Sequence, residues 1–460
     1  MSDPGVGRTR QSAIYRDGVF GKRPTVPTDA GALEARAQAA MSSTAWAYVA
    51  GGAGEGATMR ANRAAFDRWQ VAPRVLHGTT TRDLTTTLLG TTLRAPLLLA
   101  PVGAGCLVAP DSDVQIARGA ATAGVPYVFS NQGCNPLEET AAAMGDVPWW
   151  FQLYWSTDEA LVDSLIGRAE AAGAAALVIT LDTTMLGWRP QDLNLGSLPF
   201  ARGLGIAQYT SDPRFRELVA SRVAAAAAKV KEKVRPTVGA VRSLIEMSRS
   251  HPGDFRANLT SPEPRAAVET FLEIYSNPAL SWANLETLRE RTRLPVVLKG
   301  ILHPDDARRA FELGVDAIVV SNHGGRQVDR AIASLDALVS IREAIGRQPV
   351  VLFDSGLRTG TDLFVALALG ADACLLGRPH IYGLALDGAD GVASVVENVM
   401  AELDLTMGLT GVGSIPALVP GLAHPHLTYP CGASAVAPPT GASDMRQIVA
   451  HVTCAKWWRM

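Results

Sequence analysis

The chain has 460 residues, of which 47% are hydrophobic and 19% charged, so it can bury a large core and global disorder is excluded. Its formal net charge of −2 leaves no basic excess that would hold nucleic acid. No run of about 18 apolar residues occurs, which predicts that no segment spans a membrane. The N-terminus lacks an apolar signal core, and five cysteines without a C-x-x-C pair favour reduced thiols in a cytoplasm over a disulfide framework or a metal site.

The N-terminal part of the chain precedes any repeating pattern. Residues 1–30 are rich in Gly, Pro, Arg and Asp, and they are predicted to form an arm with little core of its own. Residues 31–50 are Ala-rich and helical in character, and the glycines that follow end the helix. A short helix at 59–66 and a threonine-rich β segment at 79–93 complete this helical N-terminal segment.

From residue 95 onward, short apolar runs alternate with helical segments, which is typical of βα units and a parallel sheet. Eight strands are predicted, at 96–100, 125–129, 149–153, 176–180, 295–299, 316–320, 349–353 and 373–376. Helices are predicted between them, for example at 157–172, 304–313, 335–345 and 361–369. Eight such units favour an α/β fold of the closed (β/α)8 TIM-barrel type over residues 31–410. A doubly wound open sheet is the alternative, but no G-x-G-x-x-G turn follows the first strand.

A long insertion, at about 196–290, separates the fourth and fifth predicted strands. Its middle is Ala-rich and carries the basic residues Lys229, Lys231, Lys233 and Arg235. We expect a solvated lid or an oligomer contact, and a helix on a membrane surface is the alternative. Residues 411–460 form a tail rich in Pro, Gly and Ala to which the sequence assigns no role. Its two histidines around Pro425 lack a third ligand, so no metal site is predicted.

Polar residues follow nearly every predicted strand, and in a barrel such residues share one mouth. The candidate site residues at the strand ends, with the glycines and apolar residues that accompany the polar ones, are in strand order Pro101, Val102 and Gly103; Ser130; Gln152 and Tyr154; Thr180 and Asp182; Lys299; Ser321 and His323; Asp354, Gly356 and Arg358; and Gly377 and Arg378. A histidine, a lysine and several arginines that converge on one mouth indicate a site for proton transfer and anion binding.

The motif that carries most of this chemistry is S-N-H-G-G-R-Q at 321–327, which follows the apolar run 317–320. His323 is a candidate base, and Arg326 is a candidate for binding an anion through two parallel hydrogen bonds. The two glycines between them let the backbone pass close to something flat or bulky. The glycine–arginine loops after strands seven and eight indicate a phosphate site, and Lys299 supplies a cation near a ring that accepts electrons.

These motifs resemble the signature of the FMN-dependent 2-hydroxy-acid oxidases and dehydrogenases over roughly residues 46–410. The matching stretches are Y-V-A-G-G-A at 48–53, F-Q-L-Y at 151–154, T-L-D-T at 180–183, G-W-R at 187–189, K-G at 299–300, D-S-G-L-R-T-G at 354–360 and G-R-P at 377–379. The resemblance implies that FMN is the cofactor and that His323 is the base, oriented by Asp182. It implies substrate contacts from Tyr48, Tyr154, Arg189 and Arg326, while the remaining mouth residues hold the flavin. It also implies a homo-oligomer, either a tetramer or an octamer.

Within this family, G-W-R-P at 187–190, the long insertion and the glycine at position 103 are most similar to the lactate 2-monooxygenase type. That type implies that lactate and O2 become acetate, carbon dioxide and water. Gly103 would leave room for a keto acid and oxygen, and the insertion would slow product escape. The alternatives are a simple oxidase that releases the 2-keto acid and hydrogen peroxide, a dehydrogenase for a larger 2-hydroxy acid, another type of FMN barrel, or an idle flavin-binding scaffold.

Overall fold

The computed structural model describes residues 5–227 and 237–425. The predicted basic cluster of the insertion and nearly all of the C-terminal tail lie outside these described residues. The chain divides into two units, Met1–His424 and Pro425–Met460, and the first contains the barrel. Among the described helices, none has the length and apolar character needed to cross a bilayer.

Eight parallel strands close into a barrel, which confirms the predicted (β/α)8 fold. The described residues form twelve strands in all, including two-stranded sheets outside the barrel: β1 (Trp69–Val71), β2 (Thr86–Leu88), β3 (Thr91–Leu93), β4 (Leu97–Leu99), β5 (Tyr127–Phe129), β6 (Trp149–Leu153), β7 (Leu177–Thr180), β8 (Val296–Ile301), β9 (Ala317–Val320), β10 (Val350–Phe353), β11 (Ala373–Leu376) and β12 (Ala423–Pro425). The barrel runs from β4 to β11 in chain order, and β11 closes it by pairing with β4.

Alternation along the strands separates the barrel interior from the helical layer. Leu98, Val128 and Val178 belong to the interior cluster, whereas their neighbours Leu97 and Phe129 belong to the larger core outside the strands. The antiparallel hairpin of β2 and β3 adds its leucines at 88 and 93 to the interior cluster, together with residues at the strand starts. The hairpin therefore closes the N-terminal end of the barrel and leaves the C-terminal end for a site.

Helices surround the barrel and form the insertion. They are α1 (Gly5–Val19), α2 (Ala30–Ala40), α3 (Ser43–Ala50), α4 (Ala57–Asp67), α5 (Ser112–Ala123), α6 (Leu137–Met144), α7 (Glu159–Ala171), α8 (Pro190–Asn194), α9 (Ala207–Thr210), α10 (Pro213–Ala227), α11 (Val238–Ser250), α12 (Phe255–Thr260), α13 (Glu263–Ile274), α14 (Trp282–Glu286), α15 (Leu288–Arg291), α16 (Pro304–Glu312), α17 (Ser334–Ile345), α18 (Gly360–Leu369) and α19 (Arg378–Thr410). The single helix expected at 31–50 is two helices, because the Ser42 hydroxyl accepts from the Ala45 N–H and caps α3.

The N-terminal arm is a helix that docks on α19. The Gly7 N–H donates to Oδ2 of Asp404 at 2.8 Å, and the Arg82 guanidinium donates to both oxygens of the same carboxylate at 2.7 and 2.8 Å. The Asp404 and Arg82 side chains are only 1% and 8% exposed. A buried carboxylate thus ties the start of the described chain to its last long helix.

A disulfide joins Cys106 and Cys134, so the expectation of reduced thiols is wrong for this pair. The two cysteines are 28 residues apart in sequence, but they follow the adjacent strands β4 and β5, whose C-terminal loops meet at the barrel mouth. Cys374 is a free, buried thiol, and the cysteines at 431 and 454 lie outside the described residues. The disulfide removes the thiol-based argument for a reducing compartment.

Candidate active site

The C-terminal ends of the barrel strands surround a cavity that is partly open to solvent. Many of the predicted site residues line it: Tyr48, Pro101, Val102, Gly103, Tyr154, Arg189, Lys299, His323, Arg326, Asp354, Gly377 and Arg378. Others do not line it: Ser130, Gln152, Thr180 and Ser321 are buried, and Asp182 is partly buried beside His323. Gly356 and Arg358 line a neighbouring cavity, which Arg378 also borders.

His323 lies in a turn with an unusual backbone. Its φ is 58°, and the two glycines after it have φ values of 64° and 75°, so three successive residues occupy the left-handed region. Side chains hold this turn: the Ser321 hydroxyl accepts from the His323 N–H at 3.0 Å, and the Ser355 hydroxyl accepts from the Gly324 N–H at 2.9 Å. The glycines of the motif are therefore needed for backbone conformation, and the base is fixed by its own loop.

The His323 ring is oriented by a carboxylate. Its Nδ1 lies 2.9 Å from Oδ1 of Asp182, and the Thr183 hydroxyl lies 3.2 Å from Nδ1 and 3.1 Å from the same oxygen. Nδ1–H donates to Asp182 in this arrangement, so Nε2 keeps its lone pair for a proton. Burial lowers the pKa of His323 below its ordinary value, although the Asp182 carboxylate partly opposes this effect. The imidazole is therefore neutral, and able to act as a base, at neutral pH.

Asp182 depends on a glycine in the next strand. Gly300 has a φ of 109°, and a Cβ at that position would lie 2.7 Å from Cβ of Asp182. Burial raises the pKa of Asp182, but the electrostatic interactions with His323 and Lys299 and the hydrogen bonds from His323 and Thr183 outweigh it, so the net pKa is below the ordinary value. The carboxylate is thus ionised beside the imidazole, where it stabilises the charged form of His323.

Lys299 belongs to a buried polar group at the mouth. Its Nζ lies 2.9 Å from the Ser321 hydroxyl and 3.1 Å from Oδ2 of Asp354, and the hydroxyl donates to the same Oδ2 at 2.6 Å. Burial lowers the pKa of Lys299, but Asp354 and Asp182 outweigh it and the net pKa is raised. A fixed positive charge therefore lines the cavity.

Two arginine side chains donate hydrogen bonds to backbone carbonyls at the C-terminal end of α3. The Arg326 guanidinium donates to the carbonyls of Tyr48 and Gly51 and lies 5.0 Å above the Tyr48 ring. Arg378 donates to the carbonyls of Val49 and Gly51 at 2.9 and 2.8 Å, and to that of Gly324 at 2.9 Å. Helix C-termini attract cations, so α3 is held across the mouth and brings Tyr48 to the cavity.

The arginines are also positioned for an anion. Burial and the neighbouring Arg189 lower the pKa of Arg326 to about 9, and it remains charged at neutral pH. Arg189 donates to the carbonyl of Arg326 at 3.2 Å and to the Gln327 side chain at 2.8 Å. Two cations held together in a cavity favour a carboxylate between them.

The mouth fits a flat heteroaromatic cofactor that carries a phosphate. The side-chain nitrogen of Gln152 and the hydroxyl of Thr180 are buried on adjacent strands without a hydrogen-bond partner among the described residues. The polar edge of a flavin ring bound here would supply partners for both. At the other end, burial and the charge of Arg358 lower the pKa of Arg378 to about 10, and such a pair of like charges favours a phosphate.

Sequence reasoning missed several residues that line or support the cavity. They are Gln132, Thr183, Leu186, Phe200 and Tyr275, which line it, and Gln327, whose side chain joins Arg189 to the carbonyls of Asp182 and Met185. Thr183 and Gln327 lie within the T-L-D-T and S-N-H-G-G-R-Q motifs, so their place at the site could have been predicted from the sequence. Phe200 and Tyr275 belong to the insertion, where no pattern marks residues that fold back onto the barrel.

Several known proteins are similar to this chain over most of its length. A family model described as FMN-dependent dehydrogenase matches residues 37–425. An FMN-dependent alpha-hydroxy acid dehydrogenase from Penicillium citrinum is 40% identical over 406 residues, which cover 88% of this chain and 92% of that protein. An L-lactate oxidase from Lysinibacillus sphaericus is 39% identical over 81% of this chain and 86% of its own length.

A crystal structure of mandelate oxidase with (S)-4-hydroxymandelic acid has a TM-score of 0.69 and 33% identity, and the match covers 86% of this chain and 98% of that one. Together, the family match over most of the chain and these relatives confirm the resemblance of the motifs. The chain therefore belongs to the FMN-dependent dehydrogenase family, and it is an FMN-dependent 2-hydroxy-acid oxidoreductase.

Proposed function

We propose that this protein oxidises a small L-2-hydroxy acid, lactate among them, with O2 as the final acceptor. The observation that carries the proposal is the pairing of His323 with Asp182 in the same cavity as Arg189 and Arg326. A 2-hydroxy acid presents a carboxylate and an adjacent hydroxyl, and these are the groups that two guanidiniums and a neutral imidazole recognise.

The residues have distinct roles in this proposal. Arg189 and Arg326 bind the carboxylate, and Tyr48 and Tyr154 hydrogen-bond the carboxylate or the hydroxyl. His323 removes a proton from the substrate at Nε2, and Asp182 stabilises the imidazolium that results. FMN, when bound, accepts the two electrons released from the 2-carbon.

The cofactor residues are proposed in two groups. The first borders the ring system: Pro101, Val102, Gly103, Ser130, Gln152, Thr180, Lys299 and Ser321. The second borders the phosphate end: Asp354, Gly356, Arg358, Gly377 and Arg378. Lys299 lines the cavity and would stabilise the negative charge of a reduced flavin bound there.

For the products, we favour oxidative decarboxylation, in which lactate and O2 give acetate, carbon dioxide and water. The 2-keto acid loses its carboxyl group as carbon dioxide, and hydrogen peroxide formed in the same cavity is reduced to water. Support comes from the insertion, because Phe200 and Tyr275 both line the cavity and cover it from one side. Retention of both products in one cavity is what this reaction requires.

Release of the 2-keto acid and hydrogen peroxide is the second candidate, and a specific contact favours it. A Cβ at Gly103 would lie 2.8 Å from Cβ of Gln132, so the side chain of Gln132 takes the space next to this glycine. The glycine is then explained by loop packing, and the argument that it leaves room for oxygen is weakened.

Two reactions test the proposal, the first for oxidation of the substrate and the second for the identity of the products. Anaerobic L-lactate is expected to bleach the yellow protein, whereas D-lactate leaves it oxidised; no bleaching by any L-2-hydroxy acid would contradict the proposed oxidation. A second, aerobic reaction without catalase measures acetate, pyruvate and peroxide together. Acetate without free peroxide supports decarboxylation, and equal amounts of pyruvate and peroxide support the simple oxidase.

A further inference from the structure

We propose that Gln132 determines substrate specificity by hydrogen-bonding a polar group on the side chain of the 2-hydroxy acid. The enzyme then prefers acids that carry a hydroxyl or carbonyl group on C3 or C4 over apolar acids of the same size. The inference rests on the proposed function and adds the chemical class of the substrate side chain.

The backbone of Gln132 is held in place from several directions. Its N–H donates to the Ser130 hydroxyl at 3.1 Å, and its carbonyl accepts from the Ala104 N–H at 2.9 Å. The preceding Asn131 side chain accepts from the Tyr209 hydroxyl at 2.8 Å, and the disulfide follows two residues later. The residue is therefore preorganised by the barrel and by the insertion.

The same loop is anchored by a buried carboxylate. Oδ2 of Asp113, in α5, accepts from the N–H groups of Cys134 at 2.6 Å and Asn135 at 3.2 Å. Gln208, from the insertion, accepts from the Leu137 N–H and donates to the Asn135 carbonyl, both at 2.9 Å. These bonds fix the backbone of the loop that carries Gln132.

The side chain of Gln132, in contrast, has no hydrogen bond to any of the residues 5–227 and 237–425. The residue is 6% exposed, and it lines the cavity. Its amide has both donors and an acceptor, and buried amides normally use them. An amide that lines a cavity wall without a protein partner, on a backbone that is held in place, is available to a ligand.

The topology places Gln132 on the far side of the mouth from the reacting groups. The barrel order runs β4-β5-β6-β7-β8-β9-β10-β11, so β5 lies four strands from β9 in either direction. His323 and Arg326 follow β9, and Gln132 follows β5. His323 and Arg326 contact the substrate from the β9 side, and Tyr154 and Arg189 contact it from the loops after β6 and β7. The remaining substituent of the substrate is then directed toward the loop after β5.

The surroundings of Gln132 limit the size of that substituent. A Cβ at Gly205, in the insertion, would lie 3.0 Å from both the Gln132 carbonyl oxygen and Cε1 of Phe200, so these two wall residues are close neighbours. The wall thus combines an aromatic edge with one amide. A site built around a hydrogen bond rejects an isosteric substrate that lacks it, because the amide is then left unpaired and out of water.

A matched pair of substrates tests the inference. L-glycerate and L-2-hydroxybutanoate have the same number of non-hydrogen atoms, and they differ in a terminal hydroxyl against a methyl group. For the native enzyme, the kcat/KM of flavin reduction is expected to be at least about tenfold higher with L-glycerate than with L-2-hydroxybutanoate. In Gln132→Met, which keeps length and removes hydrogen bonding, this ratio is expected to fall to about one, mainly through KM for glycerate.

Two further variants separate recognition from packing. Gln132→Glu keeps the acceptors, so it is expected to retain the preference for glycerate while both acids react more slowly beside the added negative charge. Gln115→Met makes the same change in α5, where the side chain bonds the exposed Pro110 carbonyl, and it is expected to leave the ratio unchanged. A ratio near one in the native enzyme, or an unchanged ratio in Gln132→Met, would overturn the inference alone. Failure of lactate and both test acids to bleach the flavin would overturn the proposed function together with it.

Discussion

At the scale of single residues, the candidate base is positioned by backbone geometry that its neighbours enforce. A histidine in the left-handed region costs on the order of 1–3 kcal/mol, and such a conformation persists only where surrounding contacts fix it. Here the Ser321 and Ser355 hydroxyls bond successive backbone N–H groups of the turn. The ring is thereby directed toward Asp182 and the cavity.

The first prediction concerns the acid limb of the pH profile. Neutral His323 is the active form, so kcat/KM is expected to rise with pH through a pKa below the ordinary histidine value and then to level off. Asp182 raises the pKa of His323, and Asp182→Asn is therefore expected to move the limb to lower pH while kcat falls.

His323→Ala should bind FMN and lose about 10²–10⁴ in the rate of flavin reduction. Stopped-flow reduction at several pH values measures each effect, and near-native reduction by His323→Ala would contradict the assignment.

The second prediction concerns Gly300. Gly300→Ala is expected to lose activity, because the new Cβ would lie 2.7 Å from Asp182 in a backbone conformation that also disfavours alanine. Gly314→Ala is the matched control, since Gly314 also has a positive φ of 77° but meets nothing within 4 Å. Both variants should lower Tm, whereas only Gly300→Ala should lower kcat. Equal kcat in the two variants would mean that the glycine does not position Asp182.

At the scale of elements, the insertion packs onto the mouth through aromatic side chains. Phe200 lies edge-on to Tyr48, with ring centroids 6.3 Å apart, and it also contacts Phe271 at 5.4 Å. Phe271 stacks on Tyr275 at 4.7 Å. Phe271 is fully buried and does not line the cavity, so it acts by supporting the two residues that do.

A third prediction follows from this support. Phe271→Leu is expected to raise KM for lactate about tenfold, because Phe200 and Tyr275 lose the ring that holds them. Phe215→Leu is the control, since Phe215 is equally buried in the insertion but contacts Tyr209 rather than the cavity wall. Both changes should cost about 1–3 kcal/mol of stability, measured by urea unfolding. A KM that rises equally in both variants would point to a general loosening of the insertion.

Some of the elements and site residues could be predicted from the sequence, and others could not. The barrel strands lie within two residues of their predicted bounds, because each is a short apolar run between turn residues. The motif residues, such as His323 and Asp182, were predictable because they directly follow those strands. The disulfide and the aromatic wall were not, since they depend on which loops meet in space, and the sequence carries no periodic signal for that.

At the scale of the whole molecule, the N-terminal helix α1 is bonded to the last long helix, α19, at Asp404. The fourth prediction is that Asp404→Ala lowers the free energy of unfolding by about 3–5 kcal/mol, because it leaves the buried Arg82 without this carboxylate. Glu397→Ala removes a more exposed pair with Arg10 between the same helices, and it should cost less than about 1 kcal/mol. Thermal unfolding measures the loss of stability, and a flavin-reduction assay measures activity separately. Both variants should keep the native rate of flavin reduction. A similar loss in both variants would refute the role of the buried carboxylate.

The turn at His323 has a practical consequence for enzyme engineering. Its three left-handed residues tolerate almost no substitution, so libraries that randomise this segment would consist mainly of inactive members. The wall residues Gln132, Phe200 and Tyr275 come from other loops and lie in ordinary backbone conformations. Variation confined to those three positions would therefore explore new substrates while the proton-transfer machinery stays intact.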